Sequence, residues 1–132
     1  MKPRSHDLAL AAYQCVEARK GFKASKQYGA IAHKMPALIL QNGLAQATGF
    51  LLAKGKDEHI ALLDDLALVL RKIGESGCSN RNEMHETIIS ADVTRTIQLT
   101  RRMLEASGWL KRYVQGVLKI DATGETDNGV TS

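Results

Sequence analysis

The chain has 132 residues, of which 44% are hydrophobic, 24% charged and 5% aromatic, with only two prolines. That length and composition suit one folded domain and exclude a disordered chain. Ala and Leu dominate over β-branched clusters, which excludes a β-sandwich or barrel and predicts an all-α bundle of about five to six helices. The formal net charge is +4, which favours an anionic partner.

In chain order, Ser5 is placed to cap a first helix, with Asp7 in its opening turn. Leu8, Ala11, Ala12, Cys15 and Val16 form its apolar stripe, and Gly21 is a stop or kink. A second helix is expected over Ser25 to Lys34, with Tyr28, Ile31 and Ala32 inward. Pro36 suits the first position of a third helix, Pro36 to Lys54. That segment is apolar nearly all round, so it should be the central helix, with Leu44, Phe50 and Leu51 in the core. Gln41, Asn42 and Gln46, with Ala45 and Gly49, form a polar and small strip on it.

A fourth helix follows Gly55, from Asp57 to Ile73. Leu62, Leu66, Val69 and Ile73 should face inward, and Asp64 and Asp65 outward. Residues 75–82 read as a loop, and Glu83 to Ile89 as a short fifth helix. Ser90 or Asp92 caps a sixth, running to about Leu118, with Val93, Ile97, Leu104, Leu110, Val114 and Val117 at helical spacing and Trp109 in the core. Residues 1–118 thus make one helical domain, and residues 119–132 a polar tail expected to be disordered. No apolar stretch approaches the ~18 residues of a membrane helix and no signal-peptide core follows the N-terminus, so the expected location is the cytoplasm. Cys15 and Cys78 are too far apart to form a local metal-binding pair.

Motifs for catalysis are wanting. Ser5, His6 and Asp7 are chain neighbours, whereas a triad needs groups converging in space. His33, His59 and His85 have no partner at the i, i+4 spacing of a helical zinc site. Glu83-Met84-His85-Glu86 reads as an exposed turn, and no glycine-rich phosphate loop occurs. The expectation is a protein without enzymatic activity, metal or cofactor.

The charge is unevenly spread. Residues 1–56 carry nine Lys/Arg against two Asp/Glu, and residues 57–118 carry eight against nine. A basic region of that kind can neutralise phosphates without reading sequence. Arg19, Lys23 and Lys26 share a face if the first helix runs across Gly21, with Lys34 two turns on. Lys54 and Lys56 close the third helix, and Lys111 and Arg112 follow Trp109. Lys23, Lys26, Lys34, Lys54, Lys111 and Arg112, with Arg19 and Lys20 next, are the candidates for contact with the phosphate backbone of a nucleic acid such as RNA; the alternative is a solvated helical surface with no ligand. Gln41 and Asn42 are placed to hydrogen-bond RNA, a neighbouring subunit or a kinked backbone of their own helix.

The stretch MPALILQNGLAQATGFLLAKGK, residues 35–56, closely resembles the signature of the small helical subunit of the Cmr complex, the type III-B CRISPR RNA-guided effector. WLKRY at 109–113 is similar to that family's closing motif, Thr100, Leu104 and Trp109 keep the spacing of its last helix, and Leu8-Ala9 through Tyr13 and Val16 resemble its opening helix. Arg102 stands where the family pattern has an acidic residue, and Ser107-Gly108 replace bulkier residues.

The resemblance implies a non-catalytic subunit of an antiviral ribonucleoprotein. Copies would stack head to tail along a filament of backbone subunits, bind guide and target RNA through a basic surface, and be monomeric or weakly self-associating when isolated. Charge patterning, not the resemblance, suggests that Asp57, Glu58, Asp64 and Asp65 of the fourth helix meet the basic N-terminal region of the neighbouring copy. The alternatives are a helical protein–protein adaptor without RNA contact and a free-standing, non-specific RNA-binding protein.

Overall fold

A computed structural model describes residues 3–125. Six α-helices follow one another: α1 (Arg4–Ala18), α2 (Ser25–Asn42), α3 (Leu44–Lys54), α4 (Asp57–Lys72), α5 (Arg81–Ser90) and α6 (Val93–Tyr113). A π-helical turn, Val114–Leu118, extends α6. The all-α fold is the one expected.

The innermost helix is α4, not the Pro36–Lys54 segment. It packs against all five other helices, and Leu62, Leu63, Leu66 and Leu70 on it are almost wholly buried. The apolar segment expected at the centre is in fact parts of two elements. α2 runs straight through Pro36, although proline cannot donate to the Ala32 carbonyl one turn back. The break falls at Gly43, where φ is +87°. Only glycine adopts such a conformation freely; the Gly43 N–H donates to Ile39 O at 2.8 Å and its carbonyl accepts from Ala47 at 3.0 Å. Leu44 and Leu51 are buried, but Leu40 and Phe50 stand exposed on either side of this corner.

The stripe expected on α1 is buried in full. Ser5 lies inside the helix and Pro3 precedes it, with no side-chain cap, so the capping role assigned to Ser5 does not hold. α1 ends at Ala18, three residues before Gly21. Asp92 caps α6, its side chain accepting from the Arg95 N–H at 2.8 Å, and Asn80 caps α5 by accepting from the Glu83 N–H.

α6 buries Leu99, Met103, Ala106, Ser107 and Leu110. Val93 and Ile97, expected inside, face outward. Two apolar stripes share this helix at the same spacing, and periodicity alone does not say which one meets the core.

After the π-turn, Lys119 takes a left-handed conformation, φ +59°, and turns the chain back onto α2. Ile120 is buried there, its side chain against Gly29, where a Cβ would collide with it. Its carbonyl lies 3.1 Å from His33 Nε2. Of the polar tail, Ile120 and Gly124 are buried against α2 and the residues around them stay exposed; residues 126–132 lie outside the described part.

Candidate nucleic-acid interface

α2 carries the clearest basic face. Lys26, Ala30, Lys34 and Gln41 follow one another at i, i+4, i+8 and i+15, which places them on one side of the helix. Lys26, Lys34 and Gln41 are exposed. Along the axis, Lys34 lies about 12 Å and Gln41 about 22 Å from Lys26. Asn42 is exposed but projects from a different side.

Lys23 sits in the turn between α1 and α2. It lines an open recess of about 560 Å³ with Ala24, Gln27, Lys56, Asp57 and Glu58. The fold thus brings Lys56, which the expected RNA-binding set omits, beside Lys23, since the start of α4 packs next to the start of α2. The charge here is mixed, because Asp57 and Glu58 occupy the first turn of α4, where carboxylates oppose the helix dipole favourably. Lys26 has a neighbour from the returning chain, sharing a shallow recess with Thr123, Gly124 and Glu125.

The remaining candidates divide. Lys54 is exposed, with Nζ 5.5 Å from the centroid of the Phe50 ring, a cation–π contact at the surface. Lys20 pairs with Glu17 at 3.3 Å on an exposed helix end. Lys111 and Arg112 lie on the last turn of α6, and Arg112 rests over the Trp109 ring at 5.2 Å. Trp109 is only partly buried; it stacks on Tyr113 at 5.7 Å with 22° between planes.

Arg19 is engaged elsewhere. α1 stops before it, so it never lines up with Lys23 and Lys26. Its guanidinium grips Asp65 of α4 in two places, Nη2 to Oδ1 at 2.8 Å and Nε to Oδ2 at 3.0 Å, and Nη2 donates also to Ala61 O. Tyr28 Oη donates to Asp65 Oδ2 at 2.6 Å. Asp65 is therefore buried, at 5% exposure, and corrects the expectation that it faces solvent with Asp64. Asp64 is only partly buried and pairs with Arg81 at 2.9 Å.

Burial raises the Asp65 carboxyl above its ordinary pKa, while the bonds from Arg19 and Tyr28 pull the other way. Burial, with the negative charge of Asp65 adding to it, pushes the neighbouring Cys15 thiol up to about 12.

Among the described residues, no three His, Cys, Asp or Glu side chains converge as a metal site. His85 bonds Thr48 Oγ1 at 2.7 Å across α3 and α5, so it ties two helices together. What the exposed lysines can do chemically is bind anions by charge and hydrogen bonding, without covalent chemistry.

The family model described as CRISPR-associated protein (Cas_Cmr5) matches residues 4–117. The chain is 38% identical over 120 residues to a Thermus thermophilus protein named CRISPR system Cmr subunit Cmr5, spanning 90% of this chain and 99% of that one. An X-ray crystal structure of a CRISPR-associated Cmr5 family protein from the same organism superposes with a TM-score of 0.81 at 35% identity, covering 89% of this chain and 99% of the other.

Proposed function

The chain belongs to the Cmr5 family of CRISPR-associated proteins, and from that premise we propose that it is a non-catalytic small subunit of a type III-B Cmr effector that supports antiviral defence by holding guide–target RNA. Its partners are the other Cmr components, further copies of itself, and the two RNA strands. The observation that carries the RNA-binding part is the exposed face of α2. Lys26 and Lys34 project from it about two turns apart, with Lys23 and Lys56 at its opening end.

Physical reasoning supports this division of labour. Base pairing between guide and target reads the sequence, so the protein has only to engage backbone and shape, as in RNA-guided DNA effectors. A few phosphate contacts per copy bind weakly. Repetition along a stack multiplies them through effective concentration.

Lys54, Lys111, Arg112 and Lys20 are the outer members of this surface. Arg19 contributes to it indirectly, by fixing the turn that carries Lys23. Gln41 extends the α2 face toward a neighbouring subunit or RNA. A head-to-tail stack needs two different contact surfaces on each copy. Asp57, Glu58 and Asp64 supply the acidic groups of one, bordering Lys23 and Lys56 at the mixed recess and with Arg81 beside Asp64, and they meet the basic region of the next copy. No helix among the described residues is long and apolar enough to cross a membrane, which is compatible with work in the cytoplasm.

Cross-linking mass spectrometry on a reconstituted Cmr complex, loaded with guide and target RNA, tests the reading. Nucleotide adducts are expected on peptides containing Lys23, Lys26 and Lys34. A complex that contains the chain but gives adducts only on other subunits would make it a protein–protein adaptor.

A further inference from the structure

We propose that the surface recess beside Trp109 is a stacking subsite for one unpaired nucleobase, an inference that rests on the RNA-binding reading above. The recess measures about 190 Å³ and is lined by Leu104, Glu105, Gly108, Trp109 and Arg112. Sites that enclose whole ligands run to about 300–1,000 Å³, so this one suits a single ring rather than a complete nucleotide.

Its walls are chemically suited to a flat heterocycle. Trp109 is held in place by Tyr113, stacked at 5.7 Å, and Tyr113 is held in turn by Tyr13 of α1, edge-on at 5.3 Å. The Arg112 guanidinium rests over the indole at 5.2 Å. Guanidinium and aromatic planes are the surfaces on which unpaired bases stack, whatever their sequence; with Tyr113 and Arg112 already over the indole, an entering base stacks on the outer side of the exposed Arg112 guanidinium.

Leu104 adds apolar contact, and the Arg112 charge attracts the adjoining phosphate. Glu105 brings a carboxylate to the rim; Arg102 Nη1 lies 3.9 Å from it and offsets its charge.

Gly108 is the second observation. It lies inside α6, where glycine is unfavourable. A Cβ there would meet nothing within 4 Å, so packing within the chain does not demand glycine. Its missing side chain leaves the recess open.

Trp109 is the only tryptophan, so its emission reports on this site alone. The test titrates the full chain, at low salt, with end-labelled oligoadenylate of about 12 nucleotides, within the size range of single-strand sites. An abasic strand of the same length serves as control. Label anisotropy reports binding anywhere on the chain, and tryptophan emission reports the recess.

Oligoadenylate should quench Trp109 and bind at least about 5-fold more tightly than the abasic strand. Gly108→Leu adds an apolar side chain at the recess, where its Cβ meets nothing within 4 Å. It should keep its helical circular dichroism, lose the quenching, and bind both strands equally.

Binding with unchanged emission, or equal quenching in Gly108→Leu, would overturn the subsite while leaving phosphate contacts by the lysines intact. Absence of any binding by the isolated chain at low salt would overturn the subsite, whereas the RNA-holding reading, which rests on weak contacts repeated along a stack, is decided by cross-linking in the assembled complex.

Discussion

Arg19 and Asp65, 46 residues apart in sequence, form a two-point ion pair that fastens the end of α1 to the middle of α4. The Asp65 side chain is 8% exposed and that of Arg19 22%, so neither solvent nor RNA replaces the partner if one is removed. Arg19→Ala strands a buried carboxylate and should cost about 3–5 kcal/mol. Tyr28→Phe removes one bond to the same carboxylate and should cost about 1.5–3 kcal/mol. Lys26→Ala, on the exposed α2 face, should stay within about 0.5 kcal/mol of the parent. Urea unfolding ranks the three; an Arg19→Ala protein as stable as Lys26→Ala would mean that the pair does not hold the fold together.

Cys15 packs against the same pair, and its thiol keeps its proton to about pH 12 in the folded chain, against an ordinary value of 9.0. Above pH 9 the unfolded chain releases that proton while the folded chain retains it. Stability therefore falls as pH rises from about 9 toward 12 and does not depend on this group below 9. Cys15→Ala should flatten the slope between pH 9 and 10 in denaturant titrations. Burial raises the Cys78 thiol as well, so a thiol reagent at pH 8 should label neither cysteine until the protein is unfolded.

The C-terminal return should be a stabilising hook. Ile120 is 3% exposed, sits on Gly29 and offers its carbonyl to His33. Ile120→Ala should cost about 2–5 kcal/mol. Gly29→Ala should destabilise through the clash with that side chain, and combining it with Ile120→Ala should cost less than the two separate losses together. Thermal unfolding measures this; strict additivity would mean that the two residues do not meet.

Much of the fold follows from local spacing. The α1 stripe, the Gly- and Ser-bearing loop before α5 and the Asp92 cap all depend on near neighbours in the chain. Local spacing fails where tertiary contacts decide. A helix apolar on every side gives no angular information, so Phe50 reads as core yet is 43% exposed. Pro36 reads as a helix start, but the chain tolerates its missing donor and breaks instead at the positive φ of Gly43.

Asp65 is legible in principle. It stands three residues after Leu62 and four before Val69, on the stripe of α4 that faces the core, and an acid there demands a buried cation. Arg19 as that cation is beyond reach, because only the fold brings residues 19 and 65 together. Ile120 carries no signal at all, being a lone apolar residue in a polar segment. At the interface, the α2 lysines are visible as a charge excess, whereas the approach of Lys56 to Lys23 depends on how α4 meets α2.

The central claim, that the basic face of α2 holds RNA within the complex, is tested most directly by target-RNA affinity as a function of salt. The comparison is between complexes carrying the parent chain and the Lys23→Ala, Lys26→Ala, Lys34→Ala triple variant, with helicity verified by circular dichroism. The variant is predicted to assemble, to bind target more weakly, and to show a salt slope shallower by about 0.7–0.9 for each phosphate it no longer engages. An assembled complex with unchanged affinity and slope would contradict the claim, leaving the lysines as solvated charge on a structural spacer.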